Sequence, residues 1–212
     1  MNTIEYEKLP IAFYLRNNVV EIANDLLGKF LFTYLDGQLT GAKIVETEAY
    51  NGRNDKACHA YHKRTPRTEI MYTLGGKAYV YLCYGIHHLF NVVTNAEGMA
   101  DAVLIRAVEP VIGLDVMKTR RKMEVLEKLT SGPGILSVAL GIKRTMTGVE
   151  LNGDQIWIAE LKGGVDKFEI ETDVRIGVDY AEEDALLPWR FYIRENKYVS
   201  RIKKKTRLEP GF

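Results

Sequence analysis

Apolar and polar positions alternate most regularly over Ile44-Val45-Glu46-Thr47-Glu48-Ala49-Tyr50, and alternation of this kind predicts a strand. On a strand Ile44, Glu46, Glu48 and Tyr50 share one face, and Val45, Thr47 and Ala49 share the other. Two carboxylates and an aromatic ring therefore line one side. Two readings fit: a half-exposed strand whose acids face water, and a pocket wall that carries a general base beside a stacking ring.

Upstream, Val19, Val20, Ala23, Leu26 and Leu27 form a helical stripe between an N-cap at Asn18 and Gly28 just past the helix end. A strand follows over 29–35, and Asp36-Gly37 signals a hairpin into the strand at 42–50. Residues 51–67 are polar and irregular, with Asp55, His59, His62, Lys63, Arg64 and Arg67, and Pro66 blocks a helix there. Loops after strands often carry function, although a lone histidine such as His59 is more often a satisfied packing residue or simply exposed. Gly75-Gly76 marks a turn before strand 77–83, and strand 89–94 returns from it. Residues 84–88 form the hairpin tip, where Tyr84 beside Gly85 is predicted to protrude.

Strand 102–108 is apolar except for Arg106, which must meet an acid or water; Glu46 and Glu48 are the candidates. A helix is predicted over 111–129, with Lys118-Thr119-Arg120-Arg121-Lys122 as a solvated basic face. Ser131-Gly132-Pro133 should start a short helix over 134–140. Strands are predicted at 155–161, 168–171, 174–178 and 190–194, with Asn152-Gly153 as a turn. The basic tail at 201–207 is expected to be mobile. With no repeat or linker, residues 1–212 read as one α+β domain.

Composition narrows the function. The formal net charge is +1, so any nucleic-acid binding must come from a local basic face. No apolar run reaches the ~18 residues of a membrane span. The first ten residues lack a charged start followed by an apolar run, so the expected compartment is the cytoplasm. The two cysteines, Cys58 and Cys83, lack metal-ligand spacing and read as free thiols. No metal and no cofactor are expected.

Several stretches, in this order, resemble the methylpurine (3-methyladenine, or alkyladenine) DNA glycosylase family. They are Lys43-Ile44-Val45-Glu46-Thr47-Glu48-Ala49-Tyr50, His59, Thr65-Pro66-Arg67, Tyr79-Val80-Tyr81-Leu82-Cys83-Tyr84-Gly85, Asn91 and Leu104-Ile105-Arg106-Ala107. Ser131-Gly132-Pro133, Arg175-Ile176-Gly177-Val178 and Pro188-Trp189-Arg190-Phe191-Tyr192 complete the set, so the resemblance runs from about Leu15 to Ser200. His87-His88-Leu89-Phe90 falls in a variable part of the family pattern. The resemblance implies a compact fold on a curved, mainly antiparallel sheet with flanking helices. It also implies excision of alkylated or deaminated purines from double-stranded DNA. By the same resemblance Glu48 would activate water, and Arg106 would help hold that water and a phosphate. Tyr50 would stack on one face of the extruded base, with His59 and Tyr81 on the other. Asn91 would crowd the purine 2-amino group, the Ile176 backbone would meet the base edge, and Tyr84 would fill the gap in the duplex. A monomer without membrane attachment, nucleoid-associated when bound to DNA, completes the expectation.

The chemistry agrees with these residue types. A base inside a duplex must be rotated out before it can react, and flat rings hold it once out. Breaking the C1′–N bond builds oxocarbenium-like charge that a carboxylate stabilises while taking a proton from water. Glu46 and Glu48 stand two residues apart, about 6.5–7 Å between Cα atoms. A two-carboxylate glycosidase is rejected because both acids project in one direction, whereas such pairs flank the sugar. Glu48 is assigned as the base, as the resemblance implies, and Glu46 as a support. Lys43 has odd parity and should face away from Glu48, and Lys77 should lie about 13 Å from Tyr81. With no amine nucleophile, hydrolysis to an abasic site without strand cleavage is expected. Cationic purines such as 7-methylguanine can depart neutral, whereas hypoxanthine departs as an anion unless protonated by His59, by water or through its own tautomer. Two other classes remain: a nucleic-acid-binding module without catalysis, and an RNA-directed nucleoside hydrolase.

Overall fold

Asp36 and Gly37 both take left-handed backbone conformations, φ 52° and 73°, the requirement of the two-residue hairpin turn their sequence signals. The turn joins the first long strand pair of the computed structural model, which describes residues 5–165 and 167–200. Elements run β1 (Tyr6–Lys8), α1 (Ile11–Tyr14), α2 (Val19–Asp25), β2 (Phe30–Leu35), β3 (Gln38–Tyr50), β4 (Lys77–Cys83), β5 (His87–Thr94) and β6 (Asp101–Ile112). Then come α3 (Leu114–Arg121), α4 (Pro133–Leu140), β7 (Ile156–Leu161), β8 (Ile170–Asp173) and β9 (Arg190–Ile193), with 3-10 turns at Glu69–Tyr72, Leu126–Lys128, Arg144–Met146 and Asp179–Leu186. The strands form one antiparallel sheet in the order β1-β7-β2-β3-β6-β5-β4, curled so that β9 pairs with both β3 and β8. This is the expected α+β class. The basic tail lies outside the described residues.

One face of the sheet packs on helices. Ile22, Ala23 and Leu26 after the Asn18 cap, Met117 of α3, and Leu136, Ala139 and Leu140 of α4 join Val45, Ala49, Ile105 and Val92 in the main core. The other face carries a smaller cluster around Tyr79, Val93 and Ala102, flanked by Tyr50 and Tyr81. Strand register sets a row across this second face: Glu48 pairs with Leu104, Leu104 with Asn91, and Asn91 with Tyr79. Four strands thus deliver side chains to one place because pleat parity is shared along a row.

β-Bulges change one parity argument. Register shifts fall between Ile44 and Glu46, and again between Glu46 and Thr47, so Ile44 and Val45 both join the main core. Ile44 therefore does not share the face of Glu48, and Lys43 is not excluded as a nucleophile by facing away. Lys43 is instead held by Glu109 at 2.9 Å.

Other boundaries moved for local reasons. The helix predicted over 111–129 is only α3, because β6 continues to Ile112 and Lys122 adopts φ 50°, closing the helix end with its N–H on Lys118 and Thr119 carbonyls. The strand predicted at 168–171 lies at Ile170–Asp173, where it pairs with β9. Residues 174–178 are not a strand, since Arg175 and Ile176 bond sideways to Asp55 and Glu48. β5 starts at His87, so the hairpin tip is Tyr84-Gly85-Ile86 and the two histidines belong to the ladder.

Candidate active site

Glu46 and Glu48 are completely buried, so the reading of acids facing water is overturned. β3 is flanked at these residues by β6 on one side and β9 on the other. Three donors converge on the Glu48 carboxylate. Oε2 accepts from the Tyr50 hydroxyl at 2.7 Å and from Arg106 Nη1 at 3.2 Å, and Oε1 accepts from the Ile176 backbone N–H at 2.7 Å. Burial and the adjacent Glu48 carboxylate push the Tyr50 phenol well above its ordinary value, so it stays a donor. Glu46 binds Arg106 Nε at 3.2 Å, Arg190 Nη1 at 3.1 Å, and both the N–H and the hydroxyl of Ser200 at 2.7 and 2.8 Å. Arg106 thus finds the acid partners its apolar strand demanded, and Glu46 is a structural anchor for two buried arginines.

Above this floor opens a cavity of about 470 Å³. Tyr50, His59, Tyr81, Asn91, Arg106 and Ile176 all line it, while Glu48 sits just behind three of them. The His59 and Tyr81 rings meet edge to face, centroids 4.6 Å apart. Asn91 is fixed by its amide nitrogen, which donates to the Tyr79 and Leu89 carbonyls. Burial among the neighbouring rings, and then the Arg67 cation, lower His59 from 6.5 to about 4. Its open side toward the cavity mouth tempers the first cause, but both act in the same direction, so the imidazole is neutral at pH 7. At the mouth, Tyr84 is 91% exposed with φ 50°, followed by Gly85 with φ 74°. The tip thrusts a bare ring outward beside the cavity. Cys58, pushed up to about 12 by burial, stays a protonated packing thiol. Among the described residues no cluster of three His, Cys, Asp or Glu side chains could hold a metal ion.

Behind Tyr50 stands a buried ion pair. Arg175 and Asp55 are both fully buried and meet through two hydrogen bonds, 2.5 and 2.8 Å. The Arg175 guanidinium lies between the Tyr50 and Trp189 rings, 4.9 and 5.1 Å from their centroids. It also donates to the Ala49 and Asp184 carbonyls, both at 2.9 Å.

A family model described as methylpurine-DNA glycosylase matches residues 12–197. The chain belongs to the methylpurine-DNA glycosylase family. A protein of Alkaliphilus oremlandii provisionally named 3-methyladenine DNA glycosylase is 47% identical over 92% of this chain and 99% of its own. One of Clostridium acetobutylicum with the same provisional name is 47% identical over 93% and 99%, and one of Bacillus cytotoxicus is 44% identical over 92% and 100%.

Tyr50, His59, Tyr81, Tyr84, Asn91, Arg106 and Ile176 line the cavity together, but the sequence pattern carries little sign of what holds them. Arg190 lies in the Pro188-Trp189-Arg190-Phe191-Tyr192 stretch that carries the resemblance but had no role assigned, and Ser200 carried no signal; both bind Glu46. Arg175 did carry one: an arginine inside a short apolar run needs a buried acid, and Asp55 is that acid. No helix among the described residues is long and apolar enough to cross a membrane.

Proposed function

We propose that this chain extrudes alkylated or deaminated purines from double-stranded DNA and hydrolyses their N-glycosidic bond. The product is an abasic site in an uncut strand. One observation carries the reading: a buried carboxylate, oriented by three donors, lies under a cavity walled by aromatic rings. Glu48 takes a proton from a water that attacks C1′ and stabilises the cationic sugar. Arg106 fixes that carboxylate and presents its remaining nitrogen to the water and a phosphate. Tyr50 stacks on one purine face, and His59 and Tyr81 meet the other. Asn91, locked by two carbonyls, crowds a 2-amino group, and the Ile176 backbone meets the base edge. Tyr84 fills the vacated stack. Among the described residues no lysine lines the cavity, which supports water rather than an amine as nucleophile. The chain acts as a monomer.

The decisive test is incubation with duplexes containing 3-methyladenine, 7-methylguanine, hypoxanthine or ethenoadenine. Free base and an alkali-labile site are expected from at least one. Binding without release of any would favour a non-catalytic module, and release from RNA alone would favour a nucleoside hydrolase.

Tyr84→Ala should weaken binding to a duplex carrying an abasic analogue by about tenfold, since stacking contributes roughly 1–3 kcal/mol per base. Equal affinities in a filter-binding or anisotropy titration would remove the wedge role. His59 gives a pH prediction. Its folded value of about 4 lies below the ordinary 6.5, so the folded chain excludes a proton that the unfolded chain binds between those values. Stability carried by the neutral ring is therefore complete above 6.5 and declines as pH falls toward 4. The 7-methylguanine excision rate should show no His59 titration from about pH 5.5 to about pH 8. A limb near pH 6.5 in the wild type that disappears in His59→Gln would contradict this.

A further inference from the structure

Among the described residues two guanidinium groups line the cavity, those of Arg67 and Arg106. Arg106 is neutralised by Glu46 and Glu48. Arg67 makes no ion pair with any described residue; it is held by neutral groups. Its Nε lies 3.3 Å from the Tyr79 hydroxyl, its Cζ lies 4.9 Å from the Tyr81 ring centroid, and its Nη2 lies 3.4 and 3.2 Å from the two His59 nitrogens. An arginine has no acceptor, so Nε–H donates to the Tyr79 oxygen. The Tyr79 proton is then free to point at His59 Nδ1, 3.0 Å away. Nδ1 accepts it, and the neutral ring carries its own proton on Nε2. Nη2 is almost equidistant from both ring nitrogens, so it rests against the ring rather than along either lone pair.

We infer that Arg67 is a specificity-determining residue: its unneutralised cation, steadied on Tyr79, His59 and Tyr81, favours purines that leave as anions over purines that are cationic before they leave. The inference rests on the excision reaction proposed above. In that reaction the C1′–N bond breaks with both electrons passing to the purine, the water oxygen bonds to C1′, and the water proton goes to Glu48. A neutral base such as hypoxanthine then departs with one negative charge. A cationic base such as 7-methylguanine departs neutral. A neutral His59 is a poor proton donor to the first kind. Arg67 supplies fixed positive charge in place of a proton, and its field strengthens once DNA covers the mouth and excludes water. The same charge repels a base that enters the cavity already cationic.

The test is single-turnover excision of hypoxanthine and of 7-methylguanine from one duplex sequence by wild type, Arg67→Met and Arg67→Lys. The hypoxanthine-to-7-methylguanine rate ratio should fall about tenfold in Arg67→Met, and Arg67→Lys, which keeps the charge, should stay within about threefold of wild type. A ratio is internal to each preparation, so a partly misfolded fraction does not alter it; Arg67→Gln replaces Arg67→Met if the latter is insoluble. Equal slowing of both substrates, with the salt-dependence slope for abasic-analogue duplex reduced by about 1, would make Arg67 a phosphate contact and overturn the inference. An unchanged or raised ratio would also overturn it, as would Arg67→Lys behaving like Arg67→Met. Failure of the wild type to release either base would instead defeat the glycosylase reading itself.

Discussion

Glu48→Gln should bind lesion-bearing duplex as the wild type does and lose single-turnover excision by about a thousandfold or more, the upper part of what a positioned general base contributes. The substitution is isosteric. Its one amide oxygen can accept from Ile176 or on the Tyr50 and Arg106 side but not on both, so the side chain keeps its volume in the cavity floor while at least one donor loses its acceptor. The lost quantity is negative charge next to Arg106 and the ability to take a proton from water. Single-turnover rates within tenfold of wild type would eliminate Glu48 as the base. Glu46→Gln is the instructive partner. Glu46 lies two residues away on the same buried strand, but it touches the cavity only through Arg106, its other bonds running to Arg190 and Ser200. Its substitution should lower the unfolding temperature more clearly than the rate.

The contrast between these two acids shows what the chain discloses when read alone. Their shared face was legible because Glu46, Glu48 and Tyr50 all follow the unpaired Val45 on β3, and the second shift, after Glu46, passes over Arg106 on β6 and leaves the β3 alternation intact. The bulge itself was not, since nothing in Ile44-Val45-Glu46 distinguishes a residue squeezed out of a ladder from one within it. Short-range chemistry read correctly: Asn18 accepts from the Val20 and Glu21 N–H groups, and Asp36-Gly37 turns the chain. Tyr84 stands out of a glycine-backed tip for the same local reason. Long-range pairing did not read. Residues 174–178 look like a strand because Val174, Ile176 and Val178 alternate, yet tertiary bonds from Arg175 to Asp55 and from Ile176 to Glu48 override that local preference. Helix periodicity over 111–129 likewise could not reveal that Lys122 would turn left-handed. The sites that pattern missed are those where a polar group is satisfied by a partner more than a hundred positions away, as Arg175 is by Asp55.

That pair yields the second large effect. Asp55→Ala should destabilise the fold by about 3–5 kcal/mol, the usual result of removing one partner of a buried ion pair. Arg175 would keep only the Ala49 and Asp184 carbonyls while remaining fully buried. For a chain of this size the melting temperature should fall by roughly 6–20 °C. Activity should fall as well, because Arg175 backs the Tyr50 ring and the next residue supplies the N–H that orients Glu48. Arg175→Met combined with Asp55→Ala should be less damaging than the sum of the single changes, since neither charge is then left alone. Thermal unfolding of the three variants, followed by single-turnover excision below their transitions, measures both effects. A loss under about 1 kcal/mol for Asp55→Ala, or strict additivity in the cycle, would mean that the Tyr50 wall and the Ile176 N–H are held by the surrounding packing rather than by this pair.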